Sequence, residues 1–186
     1  MSENFSGLLS EEESSFLEIY KEDLEEIAPI STAERAALLE KAKTGDEDSQ
    51  GLLIQGFMNT VLDVAHMYAG QGVLLQDLIG EGNLALVSYL KDLPVDITPD
   101  SLEKAVTDEL MRVMEELVKG SAEEANEQLK MLKKVEKVAE AAKKLSEELG
   151  RKVSIDELSE HSKISRKQIT DALKNTANKI DGIKND

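Results

Sequence analysis

The sequence contains no cysteine and no tryptophan, and only three prolines, three tyrosines and three phenylalanines occur among its 186 residues. Without cysteine the chain forms no disulfide or thiolate metal site and has no cysteine nucleophile, which suits a reducing, cytoplasmic location. No apolar run approaches the roughly 20 residues of a membrane span. The N-terminus is acidic and lacks the basic segment of a signal peptide. We therefore expect a cytoplasmic protein with no membrane association.

The scarcity of proline, together with many Ala, Leu, Glu and Lys residues, predicts an all-α fold. Apolar spacing, turn residues and capping boxes that begin at Ser31, Ser154 and Ser165 predict the helices. They cover residues 11–27, 31–43, 46–68, 74–91, 100–120, 122–149, 154–160 and 165–176. A break near Gly120 divides them into two predicted domains, 1–120 and 121–186. We expect the last twelve residues, NTANKIDGIKND, to form a frayed tail.

Acidic charge is concentrated in the first two thirds of the chain. Residues 1–128 carry 8 Lys and Arg against 28 Asp and Glu, a net charge of −20, whereas residues 129–186 carry 14 against 10, a net charge of +4. An acidic body is repelled by phosphate backbones and attracted by basic protein surfaces, whereas the mildly basic end tolerates DNA. The alternative explanation is that the acidic charge only keeps the protein soluble.

No arrangement of catalytic or metal-binding residues is apparent in the sequence. His66 and His161 are the only histidines, and no spacing supports a zinc site. The Gly70-Gln71-Gly72 segment lacks the preceding strand and the third glycine of a dinucleotide-binding loop. We find no nucleophile paired with a base, and we expect a protein that is not an enzyme and has no cofactor or metal.

Residues 77–90, DLIGEGNLALVSYL, combine helical periodicity with two glycines, each of which costs a helix interior about 1 kcal/mol relative to alanine. On a helical wheel, one face should pack into the protein, and it consists of Leu75, Leu78, Ile79, Gly82, Leu86, Tyr89 and Leu90. The missing side chain of Gly82 would let a neighbouring helix come close. The opposite face consists of Gln76, Asp77, Gly80, Glu81, Leu84 and Val87.

This opposite face mixes two carboxylates with exposed aliphatic side chains and a gap at Gly80. Such a mixture suits a surface that receives a partner helix, with the carboxylates pairing to its Arg or Lys residues. An ordinary solvated face that includes chance apolar residues is the alternative.

Residues 17–93 contain, in order, a tyrosine-bearing helix, a threonine-started helix, a Gly-Asp turn, an apolar helix, a Gly-x-Gly break and the motif DLIxEGN at residues 77–83. In this order of features they resemble bacterial RNA polymerase sigma factors of the housekeeping type. The likeness covers the segment before region two and the first half of region two. Residues 133–174 resemble sigma region three, mainly through EELGR followed by DELSEHSKIS.

In that family the helix holding the DLIxEGN motif docks on a coiled coil of the polymerase β′ subunit. The resemblance therefore implies core RNA polymerase as a partner of this chain. The contacting residues that it implies are Gln76, Asp77, Gly80, Glu81, Asn83 and Leu84. Two positions depart from the family pattern. The family usually has Gln where this chain has Gly80, and it usually has Gly where this chain has Ala85.

After Leu93 the family carries an aromatic-rich segment whose rings capture bases flipped from the melted promoter strand. Here residues 101–120 contain no aromatic residue, so stacking cannot offset the cost of flipping a base. Carboxylates stand where DNA would lie: Glu103, Asp108, Glu109, Glu115 and Glu116. We expect promoter melting to be weak or lost. Region four has no counterpart in these residues, so we expect no upstream promoter recognition by the chain itself and a partner protein that supplies that region.

Residues 154–176 predict a pair of short capped helices with a helix-turn-helix-like shape. Their candidate phosphate-binding cations are Lys163, Arg166, Lys167 and Lys174. Two further lysines, Lys130 and Lys133, fall near positions where sigma region three touches duplex DNA. We expect any DNA binding to be weak, and a compact three-helix bundle with solvated lysines is the alternative.

The sequence thus predicts an all-α protein in which a sigma-region-two-like helical bundle precedes a small region-three-like three-helix module. The leading hypothesis is a divergent sigma-factor-like transcription initiation protein that docks on core RNA polymerase. One alternative is a helical protein–protein module, or a sigma-site regulator or decoy, that retains only the fold. Another is a DNA-binding regulator that uses residues 154–176.

Overall fold

The computed structural model describes residues 9–184, in which seven α-helices are present. They are α1 (Glu11–Glu25), α2 (Thr32–Ala42), α3 (Glu47–Tyr68), α4 (Leu75–Lys91), α5 (Pro99–Leu149), α6 (Ile155–Ser162) and α7 (Arg166–Asn175). The β-structure in this part of the chain is an isolated parallel bridge between Val153 and Ile183. The prediction of an all-α fold is confirmed. None of the described helices has the length and apolar character needed to cross a membrane.

Serine capping boxes begin α1, α2, α6 and α7. In each box the serine hydroxyl accepts a hydrogen bond from a backbone amide in the first turn, and an acidic or amide side chain there accepts one from the serine amide. The boxes at Ser31, Ser154 and Ser165 were expected from the sequence. The box at Ser10 has the same spacing, Ser-x-x-Glu, and the prediction omitted it.

The predicted helix break near Gly120 is wrong, because α5 continues without interruption from Pro99 to Leu149. Gly120 does not adopt a positive φ angle, whereas Gly150 has a φ angle of +64° directly after the helix ends. A glycine in a helix interior costs about 1 kcal/mol relative to alanine. That cost is too small to interrupt a helix that has many favourable residues on either side.

The chain divides into two compact units, the first ending at Ala122 and the second beginning at Glu123. In the first unit, α1 to α4 and the first part of α5 enclose an apolar core. Its largest fully buried side chains are Phe57, Leu39, Leu53, Leu75, Leu78, Ile79, Leu86, Leu90, Leu102, Leu110 and Met114. The guanidinium of Arg35 lies over the Phe57 ring, 4.7 Å from its centroid, and donates to Glu103 at 3.2 Å. This contact ties α2 to α5.

In the second unit, the last part of α5 packs with α6 and α7 around a smaller core. Its buried residues are Val138, Ala142, Leu145, Val153, Leu158, Ile164, Ile169, Ala172, Leu173, Ile180 and Ile183. The prediction of a frayed tail is wrong as far as Lys184, because Ile180 and Ile183 lie in this core. The Val153 amide donates to the Gly182 carbonyl at 2.8 Å. Asn185 and Asp186 lie outside the described residues.

Candidate functional site

Helix α4 presents the two faces that the helical wheel predicts. The inner face is buried at Leu75, Leu78, Ile79, Gly82, Leu86 and Leu90, and Tyr89 is partly buried. The outer face is exposed at Gln76, Asp77, Gly80, Glu81 and Leu84. Leu84 is 65% exposed, which is high for a leucine in the middle of a helix. Five of the six predicted polymerase-contacting residues therefore share one accessible surface.

The two glycines of α4 differ in their surroundings. A Cβ atom added at Gly82 would lie 2.7 Å from both Met114 Cε on α5 and Val61 Cγ1 on α3. The missing side chain therefore lets three helices approach closely, as the sequence predicts. A Cβ added at Gly80 would meet nothing within 4 Å. The packing of this chain gives no reason for a glycine at position 80.

The first turn of α4 is held by Glu13 of α1. The N-cap residue Leu74 provides no side-chain cap. Instead, one Glu13 carboxylate oxygen accepts a hydrogen bond from the Leu75 amide at 2.9 Å, and the other accepts from the Ser10 amide at 3.0 Å. These bonds, that from Leu75 first, lower the pKa of Glu13 despite its burial. The buried carboxylate also lies at the positive end of the helix dipole.

Asn83, the sixth predicted contact residue, is partly buried and bonded within the chain. Its amide nitrogen donates to the Tyr20 hydroxyl at 3.2 Å, and its amide oxygen lies 3.4 Å from the same hydroxyl. Burial raises the pKa of Tyr20. Glu13 and Tyr20 thus connect α1 to two separate turns of α4. Neither role is predictable from local sequence patterns, because each residue bonds a partner more than sixty positions away.

The carboxylates of Asp77 and Glu81 form no ion pair with another residue in the range 9–184. The carboxylates of α5 that were predicted to face DNA are different, because each has a partner. Arg112 pairs with Glu109 at 2.6 Å and with Glu116 at 2.9 Å, and the hydrogen bond from Arg112 lowers the pKa of Glu109. The other three bonds join Lys104 to Asp108, Tyr68 to Glu115 and Arg35 to Glu103.

The candidate DNA-binding cations are all exposed and all belong to the second unit: Lys130, Lys133, Lys163, Arg166, Lys167 and Lys174. Lys163 is the left-handed C-cap of α6, with a φ angle of 57°. Arg166 begins α7 and forms an ion pair of 2.8 Å with Asp156, so part of its charge is already compensated. Lys130 and Lys133 lie on α5, a different element from the α6–α7 pair.

Within residues 9–184, no group of three or more histidine or acidic side chains is placed to hold a metal ion. His66 lies half-buried on α3, and burial lowers the pKa of its imidazole. The exposed outer face of α4 offers carboxylates for charge pairing and Leu84 for apolar contact.

Comparison with known proteins finds sequence similarity to sigma factors. Residues 133–180 match the model of the sigma-70 region 3 family. The RNA polymerase sigma factor SigA of Listeria monocytogenes serovar 1/2a is 22% identical over 156 residues, which cover 84% of this chain and 41% of the relative. The chain is sigma-factor-like. The SigA protein of a Bacillus species gives a similar match, 21% identical over 159 residues, with 84% of this chain and 41% of the relative covered.

The matched relatives bear directly on the resemblance found in the sequence. The match over 84% of the chain includes both compact units, and the resemblance to sigma factors is confirmed. The chain spans 41% of the length of these curated relatives.

Proposed function

We propose that this chain acts in transcription, as a divergent sigma-factor-like initiation protein that docks on core RNA polymerase. The docking surface is the outer face of α4, and its partner is the coiled coil of the β′ subunit. The proposed contact residues are Gln76, Asp77, Gly80, Glu81, Asn83 and Leu84. This is a non-catalytic role in the cytoplasm.

One observation carries the proposal: the carboxylates of Asp77 and Glu81, which have no partner within the described residues, flank a helix face that also exposes Leu84. An exposed leucine alone is common on protein surfaces. Two uncompensated carboxylates one helical turn apart, together with that leucine, match a basic helix that offers both Arg or Lys and an apolar contact. The bonds from Glu13 and Tyr20 support this role, because they fix the helix before a partner arrives.

A decisive test is the affinity of purified core RNA polymerase for the full chain and for two double variants. Asp77→Lys/Glu81→Lys reverses the outer face of α4 and should weaken binding by about tenfold or more, because charge pairing becomes repulsion. Glu22→Lys/Glu26→Lys makes the same change in charge and spacing at two other exposed positions, one in α1 and one at its C-cap, and it should bind like the wild type. Equal affinity for all three proteins would refute docking through α4.

We propose also that the protein opens promoter DNA weakly or not at all. Residues 101–120 contain no aromatic ring for stacking a flipped base. The carboxylates of this segment are bonded to Tyr68 and to three cations, Arg35, Lys104 and Arg112. These three cations are therefore not available to bind a phosphate. Permanganate footprinting of polymerase with this chain as its only sigma-like subunit should reveal far fewer single-stranded thymines than a housekeeping sigma factor gives, or none. Strand separation as complete as with that factor would overturn this part of the proposal.

The paired carboxylates of residues 101–120 favour a second function, that of a regulator which occupies the sigma site without opening DNA. Competition distinguishes it from an initiation factor. A regulator should displace a housekeeping sigma factor from core polymerase and lower its transcription, and Asp77→Lys/Glu81→Lys should abolish both effects. An initiation factor that works with a further partner should instead support transcription when that partner is added.

A further inference from the structure

The segment of α5 from Ala125 to Lys137 carries side chains of three kinds on different sides of the helix. One side packs within the second unit, where Val135 contacts the core formed around Val138. Met131 belongs to this side, because its sulfur accepts a hydrogen bond from the Asn175 amide at 3.3 Å. The remaining sides of this segment face away from that core.

The second side is apolar and exposed. Leu129 and Leu132 are 50% and 65% exposed. Positions three and four apart lie next to each other on a helix, so Ala125, Leu129 and Leu132 form one short stripe. Their spacing of four and then three residues is that of positions d, a and d in a coiled-coil seam. The small Ala125 allows a partner helix to approach.

The third side is basic and lies beside this stripe. Lys130, Lys133, Lys134 and Lys137 are all exposed, and none forms an ion pair with a residue of the described chain. Lys133 lies one turn after Leu129 and flanks the stripe, and Lys137 lies one turn after Lys133, next to it but farther around the helix. The cations in the first part of α5 differ, since Lys104 and Arg112 are paired with acidic neighbours.

We propose that Ala125, Leu129, Leu132, Lys133 and Lys137 form a docking surface for an acidic amphipathic helix of a partner protein. The leucines would insert between apolar residues of that helix, and the lysines would pair with glutamates or aspartates at its edge. The proposal does not depend on polymerase docking through α4, because it concerns a different unit and a different charge.

Two other occupants fit these residues less well. A nucleic acid backbone would satisfy the lysines but would leave both leucines in water. A second copy of this chain would match the leucines, but it would offer Lys133 and Lys137 only one carboxylate directly after its own stripe, Glu136, because the flanking positions Asn126, Gln128, Lys133 and Val135 are not acidic. An acidic helix with an apolar face satisfies both parts of the surface.

The absence of cysteine allows a direct binding assay on the full chain. The substitution Asn126→Cys places a single thiol beside the stripe for an environment-sensitive fluorophore. The probes are two designed helical peptides of about three heptads, each with leucine at positions a and d, one with glutamate and the other with lysine at positions e and g. We expect the glutamate peptide to bind about tenfold or more tightly than the lysine peptide.

Variants identify which side chains are responsible. Leu129→Ser/Leu132→Ser and Lys133→Glu/Lys137→Glu should each weaken binding of the glutamate peptide by about tenfold or more, and the second should favour the lysine peptide. Lys167→Glu/Lys174→Glu makes the same charge change on α7 and should leave binding unchanged. All the substituted side chains are exposed, and circular dichroism verifies that each variant is folded.

Three results would overturn the proposal. One is equal or absent binding of the two peptides. Another is tighter binding of duplex DNA, or of phosphatidylserine vesicles, than of the glutamate peptide. If that binding persists in Leu129→Ser/Leu132→Ser and is lost in Lys133→Glu/Lys137→Glu, the surface binds polyanions. The third is self-association that the leucine substitutions abolish, since the occupant would then be a second copy.

Discussion

The inner and outer faces of α4 each contain a glycine, and the two glycines meet different surroundings. Gly82 lies where a Cβ atom would come within 2.7 Å of Val61 and Met114, whereas Gly80 has nothing within 4 Å. The first glycine is required by the packing of three helices. The second is not required by the fold, so its cost of about 1 kcal/mol in helix propensity is consistent with selection for something outside the chain.

A second difference separates the outer face of α4 from the exposed face of α5 in the same unit. Both faces are acidic, but the α5 carboxylates are bonded to Arg35, Lys104, Arg112 and Tyr68, whereas Asp77 and Glu81 have no such partner in the described part of the chain. Net charge alone therefore does not distinguish the two faces. The pairing of their charges within the chain does.

The largest effect should come from filling the gap on the inner face of α4. Gly82→Leu should lower the free energy of unfolding by about 3 kcal/mol, because the added side chain overlaps Val61 and Met114. All three tyrosines lie in the first unit and tryptophan is absent, so tyrosine fluorescence during urea unfolding reports on that unit. The matched variant Gly80→Ala should unfold at the same or a higher urea concentration. Equal destabilisation by both substitutions would contradict the described difference between the faces.

A smaller loss should follow from removing the charge that holds the first turn of α4. Glu13→Gln should lower the free energy of unfolding by about 1–2 kcal/mol at neutral pH, because a buried charged acceptor of the Leu75 and Ser10 amides is lost. Glu12→Gln, at the exposed neighbouring position, should have no measurable effect.

The Glu13 contribution should also depend on pH. Hydrogen bonds hold the pKa of Glu13 in the folded protein below its unfolded value of about 4.3. The stabilisation is therefore complete above the unfolded pKa and is lost as the pH falls through the folded pKa. The difference in unfolding free energy between wild type and Glu13→Gln should be constant from about pH 7 to 5 and should shrink on further acidification. A difference that grew in acid would mean that the carboxylate is not stabilised as described.

Next in size should be the loss of the bond between α1 and the middle of α4. Tyr20→Phe removes the hydroxyl that bonds Asn83 and should cost about 1 kcal/mol. Hydrogen exchange should then be faster in α4 around Asn83. Unchanged exchange and stability would show that Asn83 does not need Tyr20, and that its amide is free for a partner.

The smallest effect on stability is expected on the outer face. Leu84→Ser should change the free energy of unfolding by less than about 0.5 kcal/mol, because the side chain is 65% exposed. The same substitution should lower the affinity for core RNA polymerase severalfold. Titration calorimetry and urea unfolding of one preparation measure both quantities, and a loss of stability without a loss of affinity would place Leu84 in the fold instead of in the interface.

Local features of this protein were predictable from its sequence. The spacing of apolar residues identified the buried face of α4, and the serine-based patterns identified the starts of α2, α6 and α7. These features depend on neighbours within one or two helical turns. The close approach at Gly82 also followed from the wheel, because a glycine on a buried face leaves room for another helix.

The features that the sequence did not predict depend on distant residues or on small energies. The bonds from Glu13 to Leu75 and from Tyr20 to Asn83 join positions 62 and 63 residues apart. The continuity of α5 depends on whether the cost of one glycine exceeds the helix-forming tendency of the residues on both sides of it. The spacing of apolar residues does not answer that question. The C-terminal segment is buried because Ile180 and Ile183 pack into the core that α5, α6 and α7 form. The local sequence does not reveal that core.

Site-specific photocrosslinking tests the central claim most directly, because the chain has no cysteine that would compete for the label. Leu84→Cys carries a benzophenone on the outer face of α4, and Leu52→Cys carries one at a 46% exposed position of α3. In a complex with core RNA polymerase, the label at position 84 should crosslink to the β′ coiled coil, and the label at position 52 should not. A complex that forms without this crosslink, or that gives the same crosslinks from both positions, would contradict docking through the outer face of α4.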